Sequence, residues 1–336
     1  MIIVMHPDAT TDEVARIVEK LQSFGAVVSL STEGGRTVVN GTVETLLHDE
    51  APWDSFPGVE RVMPMVRGGR RVGRDFKSDD TVVQVGPVAI GGESLTVIAG
   101  PCAVESREQM LTTAEAVHRA GASMLRGDAF KPRTSPYTFQ GLGKAGLEIL
   151  AEARSRTGMP FVAEVIDPRD VDLVASYADM IRIGTRNMSN QALLREVGRQ
   201  AKPVLLKRGR AATVEEWIDA AEYVHSEGNP NIVLVERGVR GFDTSARNTL
   251  DLTAVPVAKL LTHLPVMVDP SHAAGRRDLV PALARAAVAV GADGVLVDVH
   301  PQPEAALVDG AQALIPDEFA ALMRDLEAIA SIVGAR

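Results

Sequence analysis

From residue 95 onward, short apolar runs rich in β-branched residues alternate with helical segments, and this rhythm limits the fold more than any other feature of the chain. Eight such runs occur, at residues 95–99, 123–125, 161–165, 180–183, 204–206, 232–235, 266–268 and 295–297. Strands that alternate with helices are typical of parallel sheets, and eight units is the number of a (β/α)8 TIM barrel. A doubly wound sheet is the alternative, but no Gly-x-Gly-x-x-Gly segment follows a strand. The pattern therefore predicts a barrel.

The first 66 residues have another pattern, which predicts a small ferredoxin-like βαββαβ domain. Its helix begins with a capping box formed by Thr10 and Glu13 and stops at Gly25. The predicted strands cover residues 2–5, 27–30, 36–39 and 59–66, and the second helix covers residues 42–48. Residues 67–80, rich in Gly, Arg and Asp, are predicted as a linker, and residues 81–336 as the barrel. The hairpin-like residues 81–90 are expected to plug the barrel floor.

Composition narrows the classes of function. The 336 residues are 46% apolar, and no apolar run approaches the roughly 20 residues of a membrane span. The first residues lack the features of a secretory signal, which predicts a cytoplasmic location. A single cysteine cannot form an internal disulfide, and a net charge of −9 disfavours a nucleic-acid partner. We expect neither a membrane nor a nucleic acid as a partner.

Cationic side chains gather just after the predicted strands, at the end of the barrel where such enzymes place their chemistry. They are Arg126, Lys131, Arg133, Arg186, Lys207 and Arg237. For any one of them, solvated surface charge is an equally good interpretation. Six together in an acidic chain predict a cavity for a small substrate with several anionic groups, because arginine and lysine suit carboxylate and phosphate oxygens.

A second group at the strand ends offers a thiol, an imidazole and two carboxylates: Cys102, His272, Asp298 and Asp309. This mixture suits a divalent ion such as Mn²⁺, Fe²⁺, Co²⁺ or Zn²⁺, whereas Mg²⁺ rejects sulfur. Spacing alone leaves two alternatives open. Cys102 is either a small buried hydrophobe or a nucleophile with His272 as its base.

Several segments resemble a known family: GPCAVES at 100–106, FKPRTSPYTFQGLG at 130–143, KPVLLKRG at 202–209 and DPSHAAGRRDLVP at 269–281. ERG at 236–238, RNTLD at 247–251 and VHPQPEAALVDG at 299–310 extend the likeness. The chain resembles the metal-dependent 3-deoxy-D-arabino-heptulosonate 7-phosphate (DAHP) synthases, in the type I beta branch with an amino-terminal ferredoxin-like regulatory domain. The family condenses phosphoenolpyruvate with erythrose 4-phosphate, the first committed step of the shikimate pathway to aromatic amino acids.

The resemblance also implies roles for the residues. Phosphoenolpyruvate would be held by Arg126, Lys131, Arg186, Lys207 and Arg237, and the aldose phosphate by Arg133, Thr134 and Ser135. The metal, with Mn²⁺ expected first and Fe²⁺, Co²⁺ or Zn²⁺ as alternatives, would be bound by Cys102, His272, Asp298 and Asp309 and would polarise the aldose carbonyl. C3 of the enol then attacks, water adds at C2, and phosphate leaves by C–O cleavage. Lys131, Glu164 and His272 are the expected catalytic residues, with Glu164 handling protons.

Three positions depart from the family pattern. Asp298 stands where glutamate is usual, Asp128 where glycine is usual, and Arg182 where glutamine is expected. A pair between Asp128 and Arg182 across adjacent strand ends would keep the net charge of the cavity and change its shape. Such a change would favour a different aldose acceptor.

The resemblance further implies a homo-oligomer, expected as a tetramer, and an aromatic amino acid such as tyrosine or phenylalanine as an allosteric effector. Ser29 and Ser31 are candidate effector contacts. A sister reaction uses arabinose 5-phosphate, but its enzymes carry asparagine in the segment where this chain has Lys-Pro-Arg-Thr-Ser. A class I aldolase with Lys207 as Schiff base is another reading. A non-catalytic regulatory partner of chorismate mutase is the third, although the retained cationic and metal-binding residues argue against it.

Overall fold

A computed structural model describes residues 2–33, 35–42, 52–63, 70–92 and 94–334 of the chain. The chain separates into two compact units, Met1–Arg70 and Arg71–Arg336. No helix in these described ranges is long and apolar enough to cross a membrane.

The first unit is a four-stranded antiparallel sheet with a helix packed on it. The strands are β1 (Ile2–Met5), β2 (Val27–Glu33), β3 (Arg36–Thr42) and β4 (Val59–Met63), in the order β2-β3-β1-β4. Helix α1 (Thr11–Ser23) begins with the predicted capping box, in which Thr10 Oγ1 accepts from the Glu13 N–H. Its apolar side packs Ile17 and Leu21 into a core with Trp53. The ferredoxin-like prediction is confirmed in these elements.

Two parts of the ferredoxin-like prediction, the second helix and the end of the last strand, are not seen as predicted among the described residues. Thr42 is the last residue of β3, so the predicted second helix does not begin there, and residues 43–48 lie outside the described ranges. Residues 64–66 of the predicted last strand are also outside them.

The second unit is a closed barrel of eight parallel strands, as predicted. The strands are β7 (Thr96–Gly100), β8 (Met124–Arg126), β9 (Phe161–Val165), β10 (Met180–Ile183), β11 (Val204–Lys207), β12 (Ile232–Glu236), β13 (Val266–Val268) and β14 (Gly294–Asp298). Every residue of these eight strands is buried, because one face of the sheet points into the barrel and the other faces the surrounding helices. Burial on both faces explains the continuous apolar runs.

Helices cover the outside of the barrel. They are α2 (Arg107–Arg119), α3 (Lys144–Thr157), α4 (Val171–Tyr177), α5 (Gln191–Gly198), α6 (Val214–Ser226), α7 (Ala254–Leu261), α9 (Val280–Ala289) and α10 (Pro316–Val333). The short helix α8 (Pro270–Ala274) instead follows β13 at the carboxyl ends of the strands. Local sequence fixes their ends: Thr213 and Glu216 form a capping box at the start of α6, and Gly158 adopts the left-handed conformation after α3. Their apolar faces and the outer faces of the strands share one large core.

A short antiparallel hairpin, β5 (Val83–Val85) and β6 (Val88–Ile90), closes the amino-terminal end of the barrel. Val83, Val85 and Ile90 pack against strand residues inside the barrel, including Val162 and Met180. The predicted floor plug is confirmed. With this end filled, the carboxyl ends of the strands form the open end, where a ligand can enter.

Part of the predicted linker packs on the barrel. Val72 is fully buried, its N–H donates to Glu222 Oε2 at 3.1 Å, and its carbonyl accepts from the Thr262 hydroxyl. Gly73 forms an isolated antiparallel bridge with Thr262. Residues from 71 onward therefore belong to the packing of the second unit.

Candidate active site

A cavity of about 350 Å³ opens at the carboxyl ends of the barrel strands. Its wall includes most of the predicted site residues: Lys131, Arg133, Thr134, Ser135, Glu164, Arg186, Lys207, Arg237, His272 and Asp309. Arg126 is fully buried, and its guanidinium contacts Asp298 and the Cys102 carbonyl oxygen. Five of the six predicted cations thus share one cavity, and the sixth is enclosed in the protein.

The predicted metal ligands converge around His272. Its Nε2 lies 3.7 Å from Cys102 Sγ and 3.6 Å from Asp309 Oδ2, and those two atoms are 3.2 Å apart. His272 is on the short helix α8, whose first turn is capped by Asp269. Asp309 has φ of 54°, a left-handed conformation that is uncommon for any residue other than glycine.

Asp298 approaches His272 from the other ring nitrogen. Its Oδ2 is 3.5 Å from His272 Nδ1, and ligand atoms of Cys102, His272 and Asp298 lie within 4.8 Å of one another. Both carboxylate oxygens already have partners, since Arg126 donates to Oδ1 and Gln312 Nε2 donates to Oδ2 at 2.6 Å. Each oxygen retains a second lone pair for a cation.

The chemistry of this donor set fits a divalent transition ion. Burial raises the pKa of the Cys102 thiol to about 12. Burial also lowers the pKa of His272, despite the opposing effects of Asp269 and Asp298. A neutral imidazole is the form that binds metal, and a bound cation stabilises the thiolate that burial disfavours. The Cys102, His272 and Asp298 group can therefore hold a metal.

The anticipated pair between Asp128 and Arg182 is present, but not across adjacent strands as predicted, because β9 lies between β8 and β10. Asp128 is fully buried, and its Oδ2 accepts from Arg182 Nη2 and from Lys131 Nζ at 2.7 Å. Burial opposes ionisation, but Arg182, Lys131 and Arg126 together hold the pKa of Asp128 far below its usual range. Glu164 Oε2 also accepts from Arg182, at 2.9 Å. Fixed carboxylates thus balance the cations at the base of the cavity.

Lys131 has little capacity left for a ligand. Its Nζ lies 2.7 Å from Asp128 Oδ2, 3.1 Å from the Cys102 carbonyl oxygen and 3.1 Å from Cys102 Sγ. An ammonium group has three hydrogens, so all of them have acceptors within the protein. In this arrangement Lys131 ties the loop after β7, which carries Cys102, to the cationic side of the cavity.

Lys207 is the cation whose charge is most sensitive to its surroundings. Its side chain is buried and donates to Asp269. Burial lowers the pKa of Lys207 to about 8, although Asp269 acts in the opposite direction. Asp269 Oδ2 also lies 2.9 Å from His272 Nδ1, so one carboxylate contacts both a cavity cation and a metal-ligand candidate.

Two residues that contact this site, Arg247 and Asn248, were not among the site residues predicted from the sequence. Arg247 donates to Asp309 at 3.0 Å and to Gln312 at 2.9 Å, and the side chain of Asn248 donates to the His272 carbonyl at 3.0 Å. Both lie in the RNTLD segment at residues 247–251, in the loop that follows β12. Their position in a long loop after a strand was the signal that could have identified them.

One glycine is required by the close approach of a site residue. A Cβ on Gly184, directly after β10, would lie 1.8 Å from Glu164 Oε1. Only glycine leaves room for this carboxylate to reach Arg182.

Fold and site together define an enzyme: a (β/α)8 barrel with an anion-binding cavity beside a group that can hold a metal. Residues 77–332 match the family described as DAHP synthetase I, and residues 1–67 match the DAHP synthase ferredoxin-like domain. The chain belongs to the DAHP synthetase I family.

Similar proteins agree with this assignment. The phospho-2-dehydro-3-deoxyheptonate aldolase of Thermotoga maritima is 45% identical, with 100% of this chain and 99% of the relative covered. A crystal structure of DAHP synthase from that organism superimposes with a TM-score of 0.80 at 44% identity, covering 100% of this chain and 98% of the other. A 2-dehydro-3-deoxyphosphooctonate aldolase of Bradyrhizobium diazoefficiens is 33% identical, covering 74% of this chain and 94% of the relative.

Proposed function

We propose that this chain condenses phosphoenolpyruvate with erythrose 4-phosphate to give DAHP and inorganic phosphate. The observation that carries the proposal is the cavity in which five cations lie beside a thiol, an imidazole and carboxylates. Both substrates carry phosphate, and one also carries a carboxylate. Cations fixed on several strands hold two such molecules face to face, which removes much of the entropic cost of a bimolecular step.

Each wall of the cavity has its own task in this proposal. Arg186, Lys207 and Arg237 bind the phosphate and carboxylate of phosphoenolpyruvate. Arg126, for which the resemblance implied the same role, is fully buried and pairs with Asp298. The loop after β8 binds the aldose phosphate through Arg133, Thr134 and Ser135; Arg186 Nη2 donates to the Thr134 hydroxyl at 3.0 Å and so links the two subsites. Separate anchors for two anions place C3 of the enol against the aldehyde carbon.

Cys102, His272, Asp298 and Asp309 would hold the divalent ion, with Mn²⁺ expected. When bound, the ion supplies Lewis acidity at the aldose carbonyl oxygen. Glu164 lies on the cavity wall, where Arg182 donates to its carboxylate, and it takes a proton from the water that adds at C2. Lys131 and His272 complete the proposed catalytic set, Lys131 by orienting the Cys102 side of the site.

The test is phosphate release and phosphoenolpyruvate consumption by chelator-treated protein before and after Mn²⁺ is added. We expect turnover with erythrose 4-phosphate only in the presence of metal. Arabinose 5-phosphate serves as the second acceptor, and faster turnover with it would transfer the proposal to the octulosonate reaction. No turnover with either acceptor and any metal would favour the non-catalytic regulatory reading.

We also propose a cytoplasmic homotetramer whose ferredoxin-like residues 1–66 bind an aromatic amino acid. Family membership supports this proposal, and Ser29 and Ser31 on β2 are the candidate contacts. Native mass spectrometry reports the number of chains, and inhibition by tyrosine or phenylalanine reports the effector. A chorismate mutase partner is tested by measuring DAHP formation with and without that enzyme.

A further inference from the structure

Arg182 projects into the interior of the barrel at the base of the cavity. It lies on β10, in register with Glu164 on β9 and Leu205 on β11. Its side chain lines the cavity, yet only 2% of the residue is exposed. The position is deeper than that of Arg186, which follows the end of the same strand. A ligand that fills the cavity therefore reaches Arg182 only at its innermost end.

One end of the guanidinium is fixed by carboxylates. Nη2 donates to Asp128 and, at 2.9 Å, to Glu164 Oε2. Asp128 is itself held, because its Oδ1 accepts the Glu164 N–H at 3.3 Å and its Oδ2 accepts from Lys131. With no freedom at Nη2, the remainder of the planar group has a defined orientation.

The other two nitrogens are without partners. Arg182 Nε and Nη1 are buried and have no hydrogen-bond acceptor among the described residues of the chain. Buried donors of a charged group are rarely left unpaired, since the loss of solvation is costly. Lys131 shows the contrast, because all three of its hydrogens have acceptors in the protein. Free donors on a cavity wall indicate where a ligand oxygen is bound.

We propose that Arg182 is a further substrate-binding residue, whose Nε or Nη1 donates to an anionic oxygen of phosphoenolpyruvate at the base of the cavity, while Asp128 holds the guanidinium in position. The identity of the ligand rests on the function proposed above. Asp128 is then a positioning residue. Because its carboxylate is enclosed beneath the wall, it acts on the substrate only through Arg182.

Calorimetric binding of phosphoenolpyruvate to chelator-treated full-length protein tests this assignment without any turnover. For Arg182→Gln we expect the dissociation constant to rise about tenfold or more, the effect of losing a hydrogen bond to a charged group. Arg182→Lys, which keeps the charge, should recover part of the affinity. Arg285→Gln is the matched control, because Arg285 pairs with Asp325 on the outer helices, and its affinity should equal that of the wild type.

Removal of one buried cation leaves Asp128 and Glu164 less compensated, so Arg182→Gln alone risks misfolding. The double variant Asp128→Asn/Arg182→Gln removes the charges as a pair, and circular dichroism verifies its fold. If this folded double variant binds phosphoenolpyruvate as tightly as the wild type, the assignment is wrong. In the assay of turnover, a substrate-binding role raises KM for phosphoenolpyruvate and leaves KM for the aldose nearly unchanged.

Pyruvate and inorganic phosphate identify the group that Arg182 contacts. Weaker pyruvate binding by Arg182→Gln indicates a carboxylate contact, and weaker phosphate binding indicates a phosphate contact. If Arg182→Gln binds pyruvate, inorganic phosphate and phosphoenolpyruvate as tightly as the wild type does, the assignment is overturned. The two proposals fail separately: a wild type that binds phosphoenolpyruvate but never releases phosphate contradicts the proposed function, and an active wild type with an unaffected Arg182→Gln variant contradicts only the role of Arg182.

Discussion

At the scale of single residues, Lys207 is a cation whose charge changes near neutral pH. Burial lowers its pKa to about 8, so the ammonium form prevails below that pH and is lost above it. Since the protonated lysine attracts the anionic phosphoenolpyruvate, kcat/KM for this substrate should fall by up to about tenfold per pH unit above pH 8. Lys207→Arg stays charged and should lack this decline. A decline of the same slope in the variant would assign the titration to another group.

Cys102 provides the second prediction at this scale. It is the one cysteine of the chain and the one soft ligand of the candidate metal group. Cys102→Ser replaces sulfur with a weaker donor, so Mn²⁺ or Zn²⁺ affinity should fall at least about tenfold. Metal content after dialysis against a graded chelator series measures this. Asp325→Asn, on α10, is the control, and equal metal loss from both variants would contradict a ligand role for Cys102.

Residue types and their positions after strands were sufficient to predict the cationic cavity. The pair between Asp128 and Arg182 was also predicted, but its location was not, because β9 lies between β8 and β10 and only the closed barrel brings the two side chains together. The saturation of Lys131 could not be predicted. It depends on the Cys102 carbonyl oxygen and thiol, which come from the loop after β7, and on distances that no spacing in the sequence specifies.

At the scale of elements, the turn after β10 controls the position of Glu164. Gly184→Ala would place a methyl group 1.8 Å from Glu164 Oε1, so the carboxylate must move away from Arg182. We expect kcat to fall at least about tenfold, in the range given by a misplaced proton acceptor. Gly158→Ala is a matched control: it strains a left-handed position with nothing within 4 Å, so it should lower the melting temperature and preserve kcat. Full activity of Gly184→Ala would contradict the requirement that Glu164 stay beside Arg182.

The strands themselves were predictable because each is buried on both faces and reads as an apolar run. The limits of β9, β10 and β13 match the prediction, whereas β11 and β14 extend to Lys207 and Asp298. Both extra residues are charged, which ended the apolar run in sequence. Each is paired with an opposite charge, Lys207 with Asp269 and Asp298 with Arg126, and the pairing allows the strand to continue to a buried charged residue.

At the scale of the whole molecule, the division into two units raises the question of where the barrel begins. The family models leave residues 68–76 unmatched, and the sequence predicts a linker there. In the structure, buried Val72 and the bridge between Gly73 and Thr262 attach residues 72 and 73 to the barrel.

Two shortened chains test this boundary. One begins at residue 71 and the other at residue 81, and only the first retains Val72 and the hydrogen bonds of Arg74 to Ser78 and Asp80. Loss of one buried valine costs about 2 kcal/mol, which for a barrel of this size lowers the melting temperature by roughly 4–8 °C. Thermal unfolding followed by circular dichroism measures the difference. Val72→Ala in the longer chain is the control and should reproduce part of the decrease, because the decrease arises from that side chain. Equal melting temperatures for the two shortened chains would mean that residues 71–80 contribute nothing to the barrel and act as a linker after all.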